Sequence, residues 1–169
     1  KIFQPKDIRT RPLKDLTKES IFNVIQHSNK LNIKIDEALV LDLFSGVGSF
    51  GIECISRGVK KVFFVENYKG VLPILKKNIN DMKSVDNFKI LEKDIYKDNF
   101  FEKLNNKFDL IFLDPPFKDK NLDDVLIRIK RAKILNNKGI IIIHKHKKDI
   151  WKLPSDIKIV EAKQYGISK

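Results

Sequence analysis

At 169 residues the chain fits a single domain, long enough to bury roughly 70% of its unfolded surface around one core. Apolar residues make up 42% and charged residues 33%; no apolar run reaches the ~20 residues of a membrane span, no signal-peptide pattern opens the chain, and its one cysteine, Cys54, rules out a disulfide framework within it. The expectation is a soluble, monomeric domain of a reducing, cytoplasmic compartment, and the net charge of +12 fits either a polyanionic partner or a lysine-rich composition bias.

In chain order, Ile21, Val24 and Ile25 fall at i, i+3 and i+4 and predict an amphipathic helix over 14–28, within a short N-terminal helical extension spanning 1–30. Apolar runs that read as strands follow at 38–43, 61–65, 88–91, 108–113 and 139–143. Helical segments are expected between them at 49–57, 68–82, 96–104 and 121–134, with Gly58 and Gly139 where a helix stop or turn is wanted. A last strand at 157–160 precedes the turn residues Tyr165 and Gly166. Near-continuous apolar strands alternating with helices predict an α/β fold, a doubly wound, mostly parallel sheet covered on both faces. With no repeats and no low-complexity linkers, one domain spans 1–169. The sequence starts at Lys1 without a methionine and its end at Lys169 reads as cutting a strand, so residues beyond both ends are expected.

The segment DLFSGVGSFG, from Asp42 to Gly51, follows the first strand and carries Gly46, Gly48 and Gly51 in the spacing GxGxxG, with an acidic residue, Glu66, 20 positions after the first glycine. A nicotinamide dinucleotide site shares that spacing. Asp42 argues against it, because a pyrophosphate here would meet a like charge, whereas a cationic or amino-bearing ligand would be welcome. S-adenosylmethionine has a sulfonium and an amino group and no phosphate. On this reading Asp42, Phe44, Ser45, Gly46 and Gly48 form the cofactor loop, and Glu66, with Asn67 beside it, accepts hydrogen bonds from the ribose hydroxyls. Asp94 accepts from the adenine amine with Ile95 packing on the ring, and Gly48 lies where the backbone passes close to the cofactor. Helix capping is the plain alternative for these acids.

Asp114, Pro115, Pro116 and Phe117 follow the fourth strand. An exocyclic amine on a nucleobase is a poor nucleophile because its lone pair is delocalised into the ring. Two acceptors set against its two N–H bonds favour a pyramidal nitrogen and stabilise the positive charge that develops. Asp114 supplies one acceptor and a prolyl carbonyl, that of Pro115, supplies the other. Proline fixes φ, has no competing donor, and pushes the preceding residue toward extended geometry, so the carbonyl is aimed rigidly. Phe117 offers a flat face for an unpaired base, worth about 1–3 kcal/mol. A simple strand-to-loop turn is the bland alternative.

Taken with these motifs, the chain resembles the bacterial small-subunit (16S) ribosomal RNA guanine-N2 methyltransferases over nearly its whole length. Arg11-Pro12, with Glu19, Phe22 and Asn23, is similar to the family's N-terminal segment. The run from Asp42 to Gly58 is similar to its cofactor loop and the helix behind it, Phe64 to Glu66 to its ribose-binding strand end, Asp114 to Phe117 to its catalytic loop, and Tyr165-Gly166 to its terminal strand. The resemblance implies a Rossmann-like, seven-stranded methyltransferase sheet, S-adenosylmethionine as cofactor, and ribosomal RNA or the assembled small subunit as partner. Leu13 stands where the family usually has threonine, and His144-Lys145-His146 follows the fifth strand where acidic residues are usual.

Arg9, Arg11 and Lys14, together with Lys6, crowd the N-terminal segment and are expected to contact RNA phosphates without choosing the base. His27, His144 and His146 have no metal-site spacing, so no metal is expected. Cys54 reads as a buried small hydrophobe and Trp151 as a packing residue. Two further readings stay open: an adenine-N6 methyltransferase acting on DNA or RNA, and a nucleic-acid-binding scaffold that keeps the fold without the chemistry.

Overall fold

Five short apolar runs build one parallel sheet: β1 (Leu39–Leu43), β2 (Lys61–Val65), β3 (Phe88–Leu91), β4 (Phe108–Leu113) and β5 (Leu135–Ile143), in the order β3-β2-β1-β4-β5. The structure is a computed structural model that describes residues 2–4, 13–82, 85–97, 99–116, 119–149, 153–154 and 157–164. Among the described residues, four helices connect or cover the strands: α1 (Asp15–His27), α2 (Ser49–Ser56), α3 (Leu72–Asn80) and α4 (Leu122–Arg131).

Strand alternation sorts the side chains into two cores. Val40, Val62, Phe64, Leu110 and Phe112 point toward α1, α2 and α3, where they meet Phe22, Phe50, Cys54, Leu75 and Ile79. Leu41, Leu43, Val65, Ile111 and Leu113 point the other way, onto Val125, Leu126 and Ile129 of α4 and onto Phe101. Phe50 of α2 joins the layers, stacking at 3.9 Å on Phe112 and at 5.4 Å on Phe22. Burial on both faces is why the central strands β1, β2 and β4 read as near-continuous apolar runs. Cys54 is fully buried, as expected, and that burial pushes its thiol up from the ordinary range.

The doubly wound parallel architecture agrees with the sequence pattern, and four points differ. Among the described residues the sheet has five strands, not the seven implied by the resemblance. Residues 157–164 run as irregular chain, entered by a turn in which Ile157 N–H donates to the Pro154 carbonyl, so the strand expected at 157–160 is absent. The helix expected over 96–104 is a pair of turns closing in a single 3-10 turn at Phe101–Lys103. There Phe100 and Phe101, adjacent in sequence, are both buried, and neighbours i and i+1 do not share a helix face.

The fourth difference is Gly139, which lies inside β5 and not at a helix stop. Phe108 pairs with Leu135 while Leu110 pairs with Ile140, so β5 carries extra residues in a bulge. A Cβ at Gly139 would stand 2.9 Å from the Phe108 carbonyl oxygen. Tyr165, Gly166 and Trp151 lie outside the described residues.

Candidate active site

The strand order reverses direction between β1 and β4, and open parallel sheets bind ligands in the crevice outside the strand C-termini at such a point. Leu43 pairs with both Val65 and Leu113, and Leu113 pairs with Ile143. The loops after β1, β2, β4 and β5 therefore emerge side by side, which brings the glycine loop against the Asp114 loop.

Three residues of the glycine loop have left-handed backbone: Phe44 (φ 59°), Gly46 (φ 55°) and Gly48 (φ 85°). Core packing alone demands glycine at 48: a Cβ there would stand 2.7 Å from Leu75 Cδ1 and 3.2 Å from Ile52 Cδ1. At Gly51 a Cβ would run into the Phe64 ring and come 2.9 Å from Val62 Cγ1, so this glycine lets α2 lie close on β2. Ser45 staples the loop to the sheet, its Oγ donating to the Asp42 carbonyl at 2.6 Å and accepting from Val65 N–H at 2.9 Å.

Asp42 points to the α2 side of the sheet, is 1% exposed, and accepts from Gly51 N–H in the first turn of α2 at 3.1 Å. The capping geometry weighed as an alternative is thus present. Burial pushes the Asp42 carboxyl well above its ordinary value; the Gly51 N–H opposes this, and the charges of Asp114 and Glu66 add to it. A raised folded-state value means that the folded protein holds a proton that the unfolded chain has lost. The resulting stability is fully present below the ordinary value of 3.8 and is lost as pH rises through the folded value. Asp42→Asn keeps an acceptor for Gly51 without the charge. In thermal unfolding across a pH series, its Tm relative to the native protein is expected to rise with pH; parallel curves would remove the assigned burial effect.

Glu66 binds the loop from β2, with Oε2 accepting from Gly46 N–H at 2.8 Å and Oε1 from Asn67 and Tyr68 N–H at 2.9 and 2.8 Å. Asn67 is exposed and Glu66 half-buried. After β3, Asp94 Oδ1 accepts from Tyr96 N–H at 3.0 Å in a local side-chain turn. Ile95 is only 4% exposed and belongs to the α4-side core, which leaves little side-chain surface for packing on a ring. Partly exposed aromatic surface comes instead from Phe44 and Tyr96, whose centroids lie 6.2 Å apart.

Tyr96 is a residue the sequence reading missed. Its hydroxyl donates to Asp119 Oδ2 at 2.5 Å, joining the loop after β3 to the loop after β4; burial, then Asp119, hold the phenol far above its ordinary range. Its position right after Asp94-Ile95 was the one available signal. Asp119 N–H also donates to the Pro116 carbonyl at 2.8 Å. The Pro116 carbonyl is thereby engaged, whereas among the described residues none donates to that of Pro115, the acceptor named from sequence. Asp114 itself is held by His144, with Nδ1 2.8 Å from Oδ1.

Phe117, Arg9, Arg11 and Lys6 lie outside the described residues. Lys14 is exposed, and its carbonyl accepts from Thr17 and Lys18 N–H at the start of α1. The buried Asn78 of α3, also unforeseen, pins the first residues beside the glycine loop: its side chain accepts from Phe3 N–H at 2.7 Å and donates to the Val47 carbonyl at 3.0 Å.

The family model described as conserved hypothetical protein 95 matches residues 1–169. The ribosomal RNA small subunit methyltransferase D of Haemophilus influenzae is 30% identical over 160 residues, 93% of this chain and 79% of that protein. The protein of the same name from Buchnera aphidicola is 32% identical over 133 residues, 79% of this chain and 64% of its own length. A solved structure from Streptococcus pyogenes, described as a conserved hypothetical protein, matches with a TM-score of 0.75 at 28% identity, over 89% of this chain and 90% of that one. The chain belongs to this family of ribosomal RNA methyltransferases. The family's cofactor is S-adenosylmethionine.

This family member's residues fit that cofactor. Glu66 and Asp114, whose charges both act on the buried Asp42 carboxyl, leave neighbouring strand ends at a single sheet edge, a setting suited to a sulfonium and an amino group and hostile to a pyrophosphate. Among the described residues no helix is long and apolar enough to cross a membrane.

Proposed function

We propose that this protein transfers a methyl group to the exocyclic N2 amine of a guanine in small-subunit (16S) ribosomal RNA, acting in the cytoplasm on the RNA or the assembled particle. The observation that carries this reading is the Asp-Pro-Pro loop after β4, with an acceptor carboxylate and a rigid prolyl carbonyl, lying directly beside the glycine loop. The names of the relatives, ribosomal RNA small subunit methyltransferases, support the RNA class and lend nothing to adenine N6.

When bound, S-adenosylmethionine supplies an electrophilic methyl carbon on a positively charged sulfur. Glu66 holds the glycine loop closed and has lone-pair capacity left for ribose hydroxyls, and Asp42 holds the start of α2 behind that loop. Phe44 and Tyr96 offer aromatic surface to the adenine, with Asp94 as acceptor for its amine. Asp114 and the Pro115 carbonyl accept from the two N–H bonds of the guanine amine and draw its lone pair out of the ring. The Asp114 charge and the Pro115 carbonyl dipole would stabilise positive charge on that nitrogen during transfer, and the proton it then loses would pass to solvent. Phe117 stacks on the base, while Arg9, Arg11 and Lys14 contact phosphates.

Small-subunit particles or their RNA, incubated with the protein and tritiated S-adenosylmethionine and then digested to nucleosides, are expected to yield N2-methylguanine. N6-methyladenine as the sole product would overturn the assignment in favour of the adenine reading.

A further inference from the structure

We propose that His144 is a positioning residue for Asp114, holding one carboxylate oxygen so that the other is aimed at the substrate amine; this rests on the methyl-transfer reading above. His144 stands where the sequence departs from the acidic residues usual after the fifth strand. The β4–β5 ladder ends at Leu113 and Ile143, so Asp114 and His144 are the first residues beyond two paired strands. His144 N–H continues the ladder by donating to the Leu113 carbonyl at 2.9 Å, which locks the two backbones together. Nδ1 of His144 lies 2.8 Å from Oδ1 of Asp114, and the two side chains are 13% and 24% exposed.

An ionised carboxylate can only accept, so Nδ1 carries the hydrogen and the imidazole is the donor. Pro115 confines the Asp114 backbone to extended geometry, and the imidazole removes the freedom left in the carboxylate torsions. Among the described residues His144 alone donates to the Asp114 carboxylate, which leaves Oδ2 for a substrate N–H. An acidic residue at position 144 could not play this part while ionised. It would repel Asp114, where histidine aligns it without cancelling its charge when neutral.

The test compares the native protein with His144→Phe, which fills similar space without a donor, and His144→Asn, whose amide can replace the Nδ1–H. Undermethylated small-subunit particles and tritiated S-adenosylmethionine serve as probes. The expected result is a kcat about 10-fold to 100-fold lower for His144→Phe, as for a modest misplacement of a reacting group. Affinity for S-adenosylhomocysteine should stay unchanged, and His144→Asn should recover most of the rate. In an Asp114→Ala background, His144→Phe should cost nothing further, because the two groups act as one. Should the phenylalanine variant fail to fold, His144→Leu is read in the same way. A native-level kcat without the donor, equal losses in the Phe and Asn variants, or additive losses with Asp114→Ala would each overturn the positioning role. Absence of methyl transfer by the native protein would instead remove the functional reading on which it rests.

Discussion

Asp114→Ala is expected to lower kcat for methyl transfer by about 10²–10³-fold, the scale of losing one preorganised partner of developing charge, while affinity for S-adenosylhomocysteine stays nearly intact. The separation follows from the architecture. Asp114 lies on the loop after β4, whereas the backbone that shapes the cofactor side is tied by Ser45, Glu66 and Gly51, none of which bonds to Asp114. One secondary effect has a known sign. Removing the Asp114 charge takes away a contribution that raises the Asp42 carboxyl, so Asp42 should ionise more readily in the variant. Single-turnover assays with tritiated methyl donor, beside calorimetric titration, separate the two steps. Native-level turnover would contradict the chemical role, and loss of cofactor affinity would make Asp114 a structural residue.

The second large effect is expected at Gly48, and its physical origin is the more informative part. Valine at φ 85° carries backbone strain of about 1–3 kcal/mol, and the added carbons press on Leu75 and Ile52 at an overpacking cost of about 1–3 kcal/mol. Against a total stability of about 5–15 kcal/mol this is severe, and Gly48→Val should lower Tm in the absence of cofactor by on the order of 10 °C. Affinity for S-adenosylhomocysteine should fall with it, because the loop that carries Gly46 must shift. Glycine required at the cofactor itself predicts a different pattern: an unchanged Tm without ligand and lost binding. Thermal unfolding of the ligand-free variant distinguishes the two.

The order of the strands and helices, the glycine loop and the Asp-Pro-Pro loop were legible in the chain because each rests on local pattern. Two-sided burial writes near-continuous apolar runs at β1, β2 and β4, and glycines and prolines mark the turns between them. Relations between loops that meet only across the folded sheet were not legible. Nothing local decides that the Asp42 carboxylate, on the face toward α2, accepts from Gly51 N–H, or that a Cβ at position 48 would press on Leu75. Ile95, expected against a ring, shares a core cluster with Phe100 and Phe101. The extra residues of β5, which move Gly139 from a turn into a strand, depend on the pairing with Phe108. Asp119 reaches Tyr96 over 23 positions, and His144 reaches Asp114 over 30. The sequence by itself thus determined which residues could carry the chemistry, while the parallel register of β4 with β5 and β1 decided which of them touch. Residue type and spacing act along the chain, but a hydrogen bond needs its two partners within about 3 Å, and only the packed sheet brings them there.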